Sequence, residues 1–345
     1  MGLNRNMFFF VFIFISIIVL VMLNLALGTI AIPLADIWDI LRGKNNDSQE
    51  IWQNIVWKSR FPQTVTALVA GMGLSISGLQ MQTVFRNPLA GPSELGISSG
   101  ASLGVATIVL LSGSISGRAL SRMGLMGEMA ITVSSIIGAM AVMGIILAIS
   151  QRVRGNVVLL ILGVMIGYIA TAIIGVLKFF SNDEDVRAYV IWGLGSFSKV
   201  SGNQVHTFVI VMAVLIPLSF FKTLNLMLLG DNYARNLGLN VRRARLIVIA
   251  CSCVLTAVVT AYCGPIVFLG LAVPHLCRTL FGTSNHIILV PAVTLTGAAL
   301  ALFCNLVARM PGFEGALPIN SVTALIGAPI VISVLFGKRK NEMNG

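Results

Sequence analysis

Ten long apolar stretches recur along this chain, and that repetition leaves it one class of fold. They run Phe8–Leu27, Gln63–Val84, Leu95–Leu111, Met129–Ser150, Val157–Phe180, Val205–Phe221, Leu246–Cys263, Ile266–Leu280, Ile287–Val307 and Val322–Phe336. A helix needs about 20 apolar residues to cross about 30 Å of hydrocarbon. Only a helix or a closed barrel satisfies every backbone polar group inside lipid. Barrel strands would alternate apolar and polar residues, and these stretches do not alternate. The expected fold is all-α: a single polytopic membrane domain over residues 1–345 with ten transmembrane helices. Composition agrees, being 57% hydrophobic and 10% charged with a mean hydropathy of +0.94, more apolar surface than a soluble domain can hide from water.

The eighth and tenth stretches hold only about 15 residues, about 22 Å of helix. Flanking residues must extend them or neighbouring helices must shield them. Asn182–Asn203 is expected to carry a short helix outside the membrane. Met7–Leu27 is too long for the apolar region of a signal peptide and is expected to stay as the first span.

The formal net charge is +11, but the basic residues lie in short loops rather than on one continuous face, which argues against nucleic-acid binding. They set orientation instead. Ten spans put both termini on one side, which carries 13 of the 23 Lys and Arg residues, while 9 of the 12 acidic residues fall on the other. Both termini are therefore expected in the cytoplasm. The five cysteines show no paired metal-ligand spacing, so no metal site is expected. Cys251 and Cys253 point about 200° apart on a helix.

Small residues recur at helix-packing intervals. Gly96, Gly100 and Gly104 share a face of the third span, and Gly163 and Gly167 a face of the fifth, as close helix approach in lipid requires. Gly71, Gly78, Arg86 and Gly91 are echoed about 192 residues later by Gly264, Gly270, Arg278 and Gly282, a pattern that internal duplication leaves.

Catalytic signals are weak. Gly96-Ile-Ser98-Ser-Gly100 matches the G-x-S-x-G of serine hydrolases, but its glycines belong to the packing row and no strand–turn–helix surrounds it. His275 beside Pro274 reads as a packing residue. No P-loop motif occurs, so energy must come from a partner or an ion gradient. Ion coupling would call for ionisable groups near the membrane midplane, and the middles of the spans carry no Asp, Glu, Lys or Arg.

The most informative segment is Leu229 to Arg245 in the largest cytoplasmic loop, where Gly230 and Gly238 punctuate two short helices and Asp231 has the character of an N-cap. This stretch resembles the coupling-helix loop of the FecCD-type permeases, the family importing ferric siderophores, haem and cobalamin. Three further segments resemble the same family. They are Arg60-Phe61-Pro62; Gly78 to Ala90, including Asn87-Pro88-Leu89-Ala90, followed by Leu95 to Gly104; and Gly264 to Arg278, including Pro274-His275. Thr323 to Pro329 also fits the family's ending.

The resemblance implies the permease subunit of an ATP-binding-cassette importer, with an iron-siderophore or related metal chelate as cargo. Haem or cobalamin is the alternative cargo, and an ion-coupled secondary transporter the remaining alternative. Two permease subunits, identical or paralogous, would sit in the bacterial cytoplasmic membrane on an ATPase dimer, below an extracytoplasmic solute-binding protein. The chain itself would be no enzyme and hold no cofactor, ATP being bound by the partner. The family's motifs place ATPase coupling at Gly230, Asp231, Ala234, Arg235, Leu237 and Gly238, within a loop at about 223–245. They place a cytoplasmic gate at Asn87, Pro88 and Leu89, joined by Asn156. Docking of the binding protein falls to Arg60 and Arg309, whose guanidinium groups are expected to extend into water. The family's second arginine after that first one is Gln63 here.

Overall fold

The computed structural model describes the chain except residues 1, 29, 44–49, 112–124, 151, 153–155, 201, 217–219, 311–315 and 344–345. Also outside the description are the side chains of 2–4, 125–126, 128, 156–157, 202–203 and 334–343. Arg154 and the side chains of Lys338, Arg339 and Lys340, counted above for orientation, fall among these.

The ten expected spans are all helical: α1 (Gly2–Ala26), α4 (Phe61–Phe85), α5 (Ile97–Leu111), α6 (Leu125–Ser150), α7 (Asn156–Phe179), α9 (Gly202–Leu215), α12 (Val241–Cys263), α13 (Leu269–Phe281), α14 (His286–Ala308) and α15 (Ile319–Met343). Among the described residues six are long and apolar enough to cross a membrane, and α5, α9, α13 and α15 contribute shorter apolar helices. Between them lie α2 (Leu34–Leu41), α3 (Glu50–Ile55), α8 (Asp183–Gly193), α10 (Phe221–Leu228) and α11 (Asp231–Asn236). Helix α8 is the short element expected after the fifth span. Helices α2 and α3, and the π-helical turn Val56–Arg60 joining α3 to α4, were not anticipated.

The two short spans are completed in different ways. The tenth begins three residues earlier than expected, at Ile319, and continues as one helix to Met343 through the charged Lys338-Arg339-Lys340 stretch, so any added membrane length comes from its beginning. The eighth begins late: Gly264 to Phe268 is unwound, with positive φ at Gly264 (80°) and Phe268 (71°). Non-helical backbone at such a depth is tolerated where protein covers it. Here Ser196 N donates to Cys263 O (2.8 Å), and Asn320 Oδ1, from α15, accepts from Val267 N (3.3 Å).

Helix α4 is the axis of the bundle, with nearly every residue buried from Pro62 to Phe85, against α12, α13 and α14. Glycine makes this possible. A Cβ on Gly78 would stand 1.8 Å from Gly270 O on α13, and one on Gly71 2.3 Å from Gly297 O on α14. Gly78 and Gly270, partners in the sequence echo, thus meet in the structure. A second group packs α5 on α6 and α7. Gly100 lies against Gly138 and Gly104 against Ser134, both on α6, while Gly163 and Gly167 of α7 meet Leu95, Gly96 and Ser99. The Gly163–Gly167 row is thus a contact face, but Gly96, at a φ of 74° just before α5, turns to α7 and does not share the face of Gly100 and Gly104. The exposed apolar side chains of α1, α6 and α7, among them Phe12, Ile137 and Ile169, face outward where lipid is the solvent.

Buried polar side chains tie helix to helix. Gln63 Nε2 donates to Asn305 Oδ1 (2.9 Å), Asn305 Nδ2 to Asn24 Oδ1 (2.8 Å), and Asn24 Nδ2 to Leu302 O (3.1 Å), linking α4, α14 and α1.

Candidate functional site

One end of the bundle, where α1 begins, gathers the sequence-predicted coupling and gate residues. It is called the terminal end below. Arg5 there donates to Phe281 O at the end of α13 (3.4 Å).

Gly230 (φ 107°) and Gly238 (φ 86°) bracket α11 in backbone conformations that residues with a Cβ rarely adopt. Asn240 caps α12, accepting from Arg243 N (3.1 Å). Asp231 is not the cap expected of it. Gly230 holds that position, and both Asp231 oxygens are taken by arginines: Oδ1 by Arg86 (2.6 Å) and Oδ2 by Arg245 (2.9 Å). The carboxylate thus serves tertiary structure, since paired guanidinium hydrogen bonds are stronger than one to a helix amide. Ala234 is buried on the inner face of α11, while Tyr233 (57% exposed) and Leu237 (54% exposed) stand out with Leu229 and Arg235. Three apolar side chains thus stand uncovered on an otherwise polar loop.

Arg86 joins this loop to the gate segment. It caps α4 in the left-handed region (φ 48°), and its Nη2 also donates to Met227 O (3.1 Å). The chain then turns through Asn87, whose Oδ1 accepts from Leu89 N (2.9 Å), leaving Leu89 43% exposed and Ala90 buried. Asn156 opens α7, and its side chain lies outside the described residues. Asn87 and Pro88 line a cavity of about 530 Å³, together with Gln82, Arg86, His275 and Arg278. Sequence reading gave Arg86 and Arg245 no part in coupling or gating. The available signal was an arginine directly before Asn87-Pro88.

At the opposite end Arg60 and Arg309 come together: a Cβ on Gly28 would lie 2.9 Å from Arg309 Nη2 and 3.1 Å from Arg60 Nη2. Arg60, however, does not extend into water. It is 2% exposed and donates through Nη1 to Leu25 O (2.6 Å) and Ala26 O (2.8 Å), and through Nη2 to Ile30 O. The last carbonyls of α1 lack intrahelical partners, and the π-helical turn that ends at Arg60 lies beside them, so its guanidinium caps α1. Arg309 follows the last turn of α14. Burial and the neighbouring Arg60 charge push its pKa down to about 10, and its Nη1 is buried without a hydrogen-bond partner among the described residues. Gln63 points into the buried amide chain described above and takes no part in this patch. Arg187 on α8 is exposed.

Known proteins share this architecture. The chain is 33% identical over 322 residues to the hemin transport system permease protein HmuU of Yersinia pestis, covering 92% of this chain and 91% of that one. It is 35% identical over 288 residues to the vitamin B12 import system permease protein BtuC of Klebsiella pneumoniae, covering 83% and 84%. A solved structure described as an inward-facing conformation of a metal-chelate type ABC transporter superposes with a TM-score of 0.80 at 26% identity, over 94% of this chain and 97% of that one. The FecCD transport family profile matches residues 16–337, and with nearly the whole length so accounted for, the chain belongs to the FecCD transport family.

Proposed function

We propose that the chain is the permease of an ATP-driven importer that carries a metal chelate, such as an iron-siderophore, into the cytoplasm. The observation that carries this reading is the Arg86–Asp231–Arg245 linkage, which ties a loop with exposed apolar side chains to the Asn87-Pro88-Leu89 segment. An ATPase dimer pressing on that loop can thereby bias the gate. The terminal end faces the cytoplasm, a second permease subunit completes the pathway, and a solute-binding protein delivers cargo at the opposite end. Alternating access follows as a shift of population between inward- and outward-open forms. The permease makes and breaks no covalent bond.

Haem or cobalamin is the second cargo reading, favoured by the names of the two relatives. Reconstitution with the ATPase and binding protein separates the possibilities. Uptake of ferric siderophore should persist when ionophores collapse ion gradients and stop when ATP is depleted. The reverse pattern would reject the importer reading, and uptake of haemin or cyanocobalamin in its place would reassign the cargo.

Three further outcomes are expected. Gly238→Leu meets open space, since no atom lies within 4 Å of a Cβ there, but it strains a φ of +86°. The variant should reach the membrane yet lose ATPase co-purification. Normal co-purification and uptake would remove α11 from the coupling contact. At the other end, Arg309→Glu should reduce binding-protein-dependent uptake severalfold by placing a carboxylate where acidic residues of the binding protein dock, a close charge pair being worth about 1.5 kcal/mol or more. Arg60→Glu should instead lower thermal stability, because three carbonyls lose their donor. If Arg309→Glu transports normally at limiting binding protein, the docking assignment fails.

A further inference from the structure

We propose that the cavity between α4 and α13 at the terminal end is a binding site for an oxyanion, a carboxylate or phosphate group. Its volume of about 530 Å³ lies in the range of small-ligand sites. Two arginines, Arg86 and Arg278, line it, and no Asp or Glu does. Arg278 is partly buried, and its one hydrogen bond among the described residues goes from Nη1 to Gln82 Oε1. Gln82 is itself anchored, its Nε2 donating to Leu271 O (3.2 Å). The neutral glutamine therefore fixes the guanidinium without neutralising it, and the remaining N–H groups have no acceptor among the described residues.

Arg86 spends Nη2 on Met227 O and Asp231 and keeps its other donors. Because Asp231 is shared with Arg245, that trio retains one net positive charge, to which Arg278 adds a second. Asn87 contributes an amide nitrogen, its oxygen being already engaged by Leu89 N. An arginine that served orientation alone would sit solvated at the lipid surface. Arg278 is instead held in place at a cavity wall, where an unpaired cation is costly and a planar fork matches the two oxygens of a carboxylate or phosphate.

Two sources offer this chemistry: an anionic group on the imported chelate as it leaves, and the phosphate of a lipid headgroup. The first source rests on the importer reading, whereas anion binding by the chain itself does not. The test titrates the full chain, purified in a phosphate-free maltoside detergent, with inorganic phosphate and with citrate by calorimetry. One saturable event is expected. Arg278→Gln should weaken it about tenfold or more, as loss of a bidentate charged pair does, while Lys222→Gln, an exposed cation at the same end, should leave it unchanged. Arg278→Lys keeps the charge without the fork and should weaken it by a smaller factor, which keeps the test valid if the glutamine variant does not fold. Added phosphatidylglycerol that abolishes the phosphate event identifies the headgroup as occupant, and an undiminished event identifies a free anion. Absence of saturable binding in the unaltered chain, or equal affinity in the Arg278 variants, would overturn the proposal.

Discussion

Asp231→Arg is expected to abolish ATP-driven uptake while the chain still inserts and folds. Its carboxylate is the shared partner of Arg86 and Arg245, at 2.6 and 2.9 Å. The three side chains are 42%, 32% and 24% exposed, so each pair adds only about 0–1 kcal/mol to stability. A charge reversal there is therefore tolerated by the fold and felt by the mechanism. With three arginines in place of the linkage, like charges push α11 from the end of α4. Movement of the loop then no longer reaches Asn87, Pro88 and Leu89. ATP hydrolysis by the assembled complex should continue without transport, a separation that a general folding defect would not produce. The reciprocal exchange, Arg86→Asp with Asp231→Arg, should recover part of the uptake. Coupled transport in the single variant would show that the linkage transmits nothing.

Gly78→Leu is expected to be the most damaging single change for folding, leaving little or no permease in the membrane. Helix α4 crosses α13 at this point so closely that even the first side-chain carbon would lie 1.8 Å from Gly270 O. The obstructing atom is backbone within a packed helix pair, so no rotamer change relieves it. Separating the helices would pull Gln82 from Leu271 O on α13. Overpacking of an interior commonly costs about 1–3 kcal/mol, and a backbone clash along the bundle axis lies beyond the usual case. Gly144, with nothing within 4 Å of a built Cβ, is the control: Gly144→Ala should express normally. Wild-type amounts of a thermally stable Gly78→Leu protein would refute the packing account.

The ten spans were legible because crossing lipid demands two properties that sequence displays directly, length and unbroken apolarity. The close approaches at Gly100 and Gly104 and at Gly163 and Gly167 were legible too from their four-residue spacing, whereas Gly96, spaced to match, serves a positive-φ turn before α5 and faces α7 instead. Gly230 and Gly238 announced the positive-φ turns around α11. What sequence could not show was who meets whom. Asp231 lies 145 residues from Arg86, and no local pattern prefers that partner over a helix amide, so the carboxylate was misread as a cap. Arg60 was misread for a related reason. At a span end an arginine looks like a water-facing anchor, and only the π-helical turn and the bare carbonyls of α1 turn it inward. The Gly264-Pro265 pair within an apolar run did signal the break before α13, but the run was drawn from Ile266 as though the helix began there.

The unwound stretch from Gly264 to Phe268 also sets an order of events during synthesis. Val267 N finds its acceptor on Asn320, 53 residues further along the chain, and Asn320 N in turn reaches Leu194 O (3.3 Å). At about 5–20 residues per second of elongation, the ribosome needs roughly 3–10 s to deliver that acceptor. For that interval α12 and α13 wait beside an open backbone that lipid cannot satisfy. The insertion machinery or trapped water must shelter it, and the last span closes the assembly as a keystone closes an arch.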